Sequence, residues 1–123
     1  MVNMDTVRQK ITLEIEYIKG NELPEEGIYM GGLKDPLYTN ELVVWVEPSE
    51  EYDDEKKEFE PSQGWQINIG GSRRSLFELG KILIGLSELK TKDNHYHEHL
   101  DDISTIEGQD NCKIILHHPN RFE

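Results

Sequence analysis

The chain of 123 residues has one cysteine, no long apolar run and few cations, and each shortage excludes a class of protein. Cys112 is the only cysteine, so no intrachain disulfide can form, and its thiol is most simply a small buried apolar group. No apolar run approaches the ~20 residues that a membrane-spanning helix needs, and residues 1–10 lack the apolar core of a secretion signal. We therefore expect a soluble, cytoplasmic protein.

The small number of cationic residues indicates which kinds of partner the chain can bind. Thirteen Lys and Arg stand against 25 Asp and Glu, which gives a formal net charge of −12 and a pI near 4.8. A phosphate backbone or an anionic membrane surface would be repelled before contact, so neither is expected as the main partner. The same charge attracts a basic protein or a cation.

The length suits one domain with a core of its own. Hydrophobic residues make up 35% of the chain and charged residues 31%, and the mean hydropathy is −0.70. These values are typical of a thin core beneath a very polar surface. We predict a single domain over residues 1–123.

The most ordered part of the pattern runs from Trp65 to Leu89. Trp65, Ile67 and Ile69 alternate with polar residues, which predicts a half-buried strand. After a glycine turn, apolar residues recur at intervals of three and four, which predicts one long amphipathic helix from about Arg73 to Leu89. Gly80 lies close to the apolar side of this helix, so we expect the helix to approach the sheet closely there.

Further strands are predicted on both sides of this stretch. They are Ile11–Tyr17, a short one near Ile28–Met30, the apolar run Leu42–Val46, His95–Leu100 and Cys112–His118. Together they predict an α+β fold, with a single, mostly antiparallel sheet of four to six strands and one long helix packed on one face in two layers. One helix cannot cover both faces, so the opposite face should be bare or covered by a partner.

An acidic run separates Leu42–Val46 from the strand at Trp65. Residues 48–61 carry too little apolar surface to order themselves and are predicted to form a flexible acidic loop. The structural interpretation of such a run is a solvated connection. The functional one is a docking surface for a basic partner, formed by Glu50, Glu51, Tyr52, Asp53, Asp54 and Glu55.

Histidines are concentrated near the end of the chain. His95, His97 and His99 alternate with Tyr96, Glu98 and Leu100, and His117 lies on the last predicted strand. If Tyr96 and Leu100 face the helix, the three alternating imidazoles lie on the uncovered face of the sheet. They would contact a partner there.

Imidazoles spaced along a strand can also converge on a metal ion. The chain has no His-Glu-x-x-His helix and no other well-defined ligand spacing, so we assign no metal and no cofactor. A metal site formed by His95, His97 and His99, with His117 as a further ligand, stays the alternative.

At Ile67 to Asp101 the chain resembles the immunity protein 32 family of bacterial polymorphic-toxin systems. The resemblance covers a strand that ends in Gly70 and Gly71, a leucine-rich helix and a His-x-His-Leu-Asp strand; the matching positions are Ile67, Ile69, Gly70, Gly71, Leu76, Leu79, Leu83, Leu86, His97, His99, Leu100 and Asp101, followed by Ile114–Leu116. This sequence departs from the family pattern in the extra His95-Tyr96 and in the acidic insert. The resemblance implies a small cytoplasmic protein that binds and neutralises a cognate toxin, without catalysis.

Three functional hypotheses follow, from different classes. The leading one is a non-catalytic binding protein, an immunity protein whose acidic groups attract a toxin domain such as a basic nuclease. The second is a metal-binding protein or metal-dependent enzyme that uses the histidines. The third is a homodimer that pairs its bare faces or edge strands. No serine or cysteine has a recognisable base beside it in the sequence, so no catalytic residue is assigned.

Overall fold

The computed structural model describes residues 4–20, 31–106 and 112–123, and its elements alternate short and long. In chain order they are β1 (Tyr17–Ile18), β2 (Gly32–Leu33), a 3-10 turn (Thr39–Glu41), β3 (Leu42–Asp53), β4 (Glu58–Gly71), α1 (Arg73–Glu88), β5 (His97–Leu100), β6 (Ile114–His117) and a second 3-10 turn (Pro119–Arg121). The α+β class with a single helix is as predicted. No helix among the described residues is long and apolar enough to cross a membrane.

The strands form three separate two-stranded antiparallel sheets, β1–β2, β3–β4 and β5–β6. The prediction of one sheet of four to six strands is therefore wrong. A parallel bridge between Val43 and Ser104 links the start of β3 to the segment after β5. There the Val44 N–H donates to the Ser104 carbonyl and the Ser104 N–H to the Leu42 carbonyl, both at 2.9 Å.

The predicted N-terminal strand is much shorter than expected. Of Ile11–Tyr17 only Tyr17 enters a ladder, paired with Leu33, because β2 offers just two residues as a partner. Alternation in sequence predicts which side chains share a face, but a strand also needs a neighbour for its backbone groups. The strand predicted near Ile28–Met30 lies outside the described residues.

Helix α1 begins and ends within a residue of the prediction. Ser72 is its N-cap, and the Ser72 hydroxyl accepts a hydrogen bond from the Ser75 N–H at 3.2 Å. The close approach that was expected at Gly80 occurs instead at Gly85, where an added Cβ would lie 2.7 Å from a Leu33 methyl group, whereas Gly80 has open space beside it. Gly85 is buried and lets α1 pack against β2.

The core lies between α1, β2, the start of β3 and the β5–β6 sheet. It consists of Leu33, Leu42, Ile82, Leu86 and Leu100, with partly buried neighbours at Ile15, Leu79, Tyr96, Ile103, Ile114 and Leu116. Burying each large aliphatic side chain contributes about 1.5–3 kcal/mol. The helix and the histidine-bearing strands are thus held by one small cluster.

Strands β3 and β4 form a long hairpin where a flexible loop was predicted. β3 continues to Asp53 and β4 begins at Glu58, so residues 48–61 lie mostly within paired strands, and the prediction of a loop is wrong. The Asp53 carboxylate accepts hydrogen bonds from the N–H groups of Glu55 and Lys56 at 2.9 and 3.1 Å, and Lys57 has φ 53°. The acidic composition of this segment predicts a solvated loop, but the hydrogen bonds that Asp53 accepts in the turn allow the two strands to pair.

Candidate partner-binding surfaces

Three imidazoles meet on the solvent side of the β5–β6 sheet. His97 and His117 are directly opposite each other in the ladder, with ring centroids 5.7 Å apart, and the His99 ring lies 4.8 Å from that of His97. Leu100, on the opposite side of β5, is buried, and Tyr96 packs against the core. The prediction that His97 and His99 face away from the core is confirmed. We call His97, His99 and His117 the histidine face.

Arg121 contacts His117 and affects the protonation of this one residue of the histidine face. Its Nη1 lies 3.0 Å from His117 Nδ1, and because a guanidinium only donates, His117 Nδ1 accepts and its proton is on Nε2. Partial burial lowers the pKa of His117 below its usual value, and the positive charge of Arg121 lowers it further, followed by His97 and His99. The arrangement favours a neutral His117.

Two histidines lie apart from this face. His95 is exposed and precedes β5; its backbone N–H is bound by Asp93, but its ring is not part of the cluster. His118 is buried: its Nε2 donates to the Leu89 carbonyl at 2.6 Å and its Nδ1 accepts from the Asn120 N–H at 3.0 Å. His118 joins the end of β6 to the end of α1, which is a structural role.

The histidine face does not fit a metal site. Within the described parts of the chain, no group of three or more His, Cys, Asp or Glu side chains has the geometry to hold an ion. The set that was considered from the sequence, His95, His97 and His99, is divided, since the ladder gathers His97 and His99 with His117 instead. The nearest carboxylate, that of Asp101, is 3.9 Å from His99 Nδ1, and Asp102 accepts a hydrogen bond from Thr39 at 2.6 Å.

The acidic residues of the predicted docking surface lie at the far end of the β3–β4 hairpin. Glu50, Glu51, Tyr52 and Asp53 end β3, and Asp54 and Glu55 begin the turn. Tyr52 lies opposite Phe59, and the two rings pack edge to face with centroids 5.2 Å apart. We call residues 50–60 the acidic tip. The tip and the histidine face lie on different sheets, so the sequence-predicted residues form two surfaces.

One face of the hairpin carries polar side chains in contact with one another, together with the half-buried Trp45, and the other face is apolar. On one face the Glu47 carboxylate accepts hydrogen bonds from Gln66 and Asn68 at 2.6 and 3.2 Å, and the hydroxyls of Ser49 and Ser62 bond at 2.9 Å. The opposite face carries Val46, Pro48, Trp65, Ile67 and Ile69, which lie in cross-strand register. We call these five residues the hairpin stripe.

Three residues of the hairpin stripe, Trp65, Ile67 and Ile69, were predicted to form the buried side of a half-buried strand, and that prediction is wrong. Trp65 is 73% exposed, Ile67 69% and Ile69 49%. The core cluster takes Leu42 from the base of this hairpin and none of these three side chains. In β3 and β4 only Leu42 and Val44, near the base, are buried. Alternation in the sequence shows which side chains share a face, but it carries no signal for whether another element covers that face.

A third feature, at the start of α1, is fully engaged within the chain. The Arg74 guanidinium binds the Glu41 carboxylate through two nitrogens, at 2.9 Å from Nε to Oε1 and 2.5 Å from Nη2 to Oε2, and it lies 4.1 Å above the Tyr38 ring. The Ser72 hydroxyl donates to the same carboxylate at 2.5 Å. These hydrogen bonds lower the pKa of Glu41 from 4.5 to about 2, and the one from Arg74 has the largest effect. This contact ties the helix to the 3-10 turn.

Comparisons with protein-family models, with curated proteins and with solved structures find no match to this chain. The resemblance to the immunity protein 32 family rests on the strand–helix–strand residues given above and stays a prediction.

Proposed function

We propose that this protein is a non-catalytic binding protein, an immunity protein that binds and neutralises a cognate bacterial toxin domain in the cytoplasm. The observation that carries the proposal is the group of large apolar side chains left exposed in the described part of the chain. They include Trp65, Ile67 and Ile69 on β4 and Leu76 and Phe77 on α1. Exposed apolar side chains that are grouped on one surface mark a site where another protein binds.

The charge supports a basic protein as that molecule. A formal charge of −12 on 123 residues attracts a basic domain from a distance and accelerates its association. The acidic tip concentrates carboxylates at one end of the hairpin, and the histidine face adds aromatic rings that can pack against a partner. The absence of a metal-binding group among the described residues leaves the metal hypothesis without a specific observation in its favour.

Co-expression with the toxin domain encoded beside the gene tests the proposal. The expected result is restored growth of a host that the toxin alone kills, with the two proteins eluting from size exclusion as one stoichiometric complex. A toxin that still kills the host, and that elutes apart from this chain, would refute the proposal. The purified chain, after treatment with a chelator, should bind the purified toxin domain equally well, because the proposed binding uses no metal.

A further inference from the structure

The hairpin stripe is an apolar surface on a rigid support. Pro48 and Trp65 are opposite each other in the ladder, as are Val46 and Ile67, so the members of the stripe project from one face of the hairpin. Backbone hydrogen bonds from Leu42 to Asp53 and from Glu58 to Gly71 hold that face in place. A partner therefore meets side chains that are already arranged, and it loses little conformational entropy in ordering them.

The polar face of the same hairpin has no comparable need for a partner. Glu47 accepts hydrogen bonds from two cross-strand amides, and Ser49 and Ser62 bind each other. On the apolar face, Trp65 and Ile67 each keep more than two thirds of their surface in contact with solvent. An exposed tryptophan next to exposed isoleucines on the same face is the composition of a binding hot spot rather than of an ordinary solvated face.

We propose that the hairpin stripe is the docking surface of this protein, and that its occupant is a basic protein domain with an apolar centre and a cationic rim. The charge of the hairpin argues for that chemistry, because residues 42–71 hold eight carboxylates against two lysines, a net charge of −6. Most of these carboxylates lie in the acidic tip, at the end of the stripe. A partner seated on Trp65 and Ile67 thus places its rim beside Glu50, Glu51 and Asp53.

The same charge argues against a second copy of this chain as the occupant. Two copies bring a formal charge of −12 each and two acidic tips to one interface, so they repel at the distances where association begins. The inference rests on the proposed function and adds to it the surface that is used and the kind of protein that fits.

Paired substitutions in the complex with the co-expressed toxin domain test this inference. Ile67→Ala removes part of the stripe, and Ile84→Ala removes an exposed isoleucine of α1 as a matched control. Trp65→Thr removes the largest anchor and keeps a β-branched residue in the strand. Glu51→Lys and Asp54→Lys reverse charge in the tip. Thermal unfolding of each free variant, followed by circular dichroism, is expected to match the original chain because all of these side chains are exposed.

We expect Trp65→Thr to weaken binding at least about thirty-fold, as hot-spot truncations do, mainly through faster dissociation. The tip reversals should slow association on the order of tenfold at low salt, and the difference should fade as salt screens the charges. Ile67→Ala should weaken binding severalfold, and Ile84→Ala should leave it unchanged.

The failures can be told apart. If the original chain forms no complex, the proposed function fails and this inference with it. If the complex forms and Trp65→Thr binds like the original chain, or Ile84→Ala weakens binding as much as Ile67→Ala, the proposed function stands and the hairpin stripe is not the docking surface. If the chain alone is a dimer that Trp65→Thr dissociates, the occupant is a second copy and the proposal of a basic domain is overturned.

Discussion

Val44→Thr and Ile67→Thr test how far the buried core extends along one face of the hairpin. Val44 is 3% exposed and Ile67 is 69% exposed, although both lie on the apolar side of the same ladder. Val44→Thr keeps the shape of the side chain but buries a hydroxyl, which costs about 1–3 kcal/mol in protein interiors. Ile67→Thr removes apolar atoms of which less than a third are covered. At about 0.8 kcal/mol for each fully buried methylene, we expect a loss below roughly 0.5 kcal/mol.

Urea unfolding followed by circular dichroism gives the two free energies, provided that the slopes of the transitions agree with that of the original chain. We expect the free energy of unfolding to fall clearly for Val44→Thr and to stay almost unchanged for Ile67→Thr. Equal losses would mean that Ile67 is covered in solution, and the argument that Trp65 and Ile67 are exposed to a partner would fail. Repeating the measurement at a tenfold higher protein concentration identifies self-association, because a dimer becomes more stable as its concentration rises.

Two further predictions concern ionisation. The pKa of Glu41 falls from 4.5 to about 2 on folding, so its contribution to stability is present above pH 4.5 and is lost as the pH falls towards 2. Glu41→Gln should therefore reduce the loss of stability between pH 4.5 and 2 in a curve of unfolding free energy against pH. An unchanged loss in that range would contradict the Arg74 contact. Because the pKa of His117 is lowered in the fold, the fold loses stability as the pH falls below 6.5. Arg121→Gln should raise the pKa of His117 towards its usual value, as measured by an NMR titration of the imidazole protons. A pKa that the substitution leaves unchanged would refute the role assigned to Arg121.

The sequence predicts the helix well because its evidence is local. The repeat of three and four in apolar residues is a property of α1 itself, and the helix begins at Arg73 and ends at Glu88. The histidine face is predicted for a similar reason. Strict alternation fixes that His97 and His99 share a side, and burying Leu100 leaves only the other side for the imidazoles.

The number of strands in one sheet could not be predicted, because pairing is not local. Ile11–Tyr17 has the pattern of a strand, yet within the described residues only Tyr17 of this run lies in a β-ladder, and β5 and β6 pair with each other. Nothing in the side-chain pattern of a strand identifies its neighbour. The bridge from Val43 to Ser104 shows how a single pair of backbone hydrogen bonds replaces the continuous sheet that was expected.

The hairpin illustrates a more general limit of reasoning from alternation. The pattern Trp65-Gln66-Ile67-Asn68-Ile69 correctly predicts a strand with one apolar face, but the step from apolar to buried needs an element that reaches that face. The core cluster takes Leu42 from the base of the hairpin, whereas Trp65 and Ile67, further along the same face, stay exposed. The two errors therefore have separate causes. Acidic composition, which opposes edge-to-edge association through its charge, concealed the pairing of residues 48–61. Alternation could not show that no element of the core that the structure describes reaches the apolar face at Trp65 and Ile67.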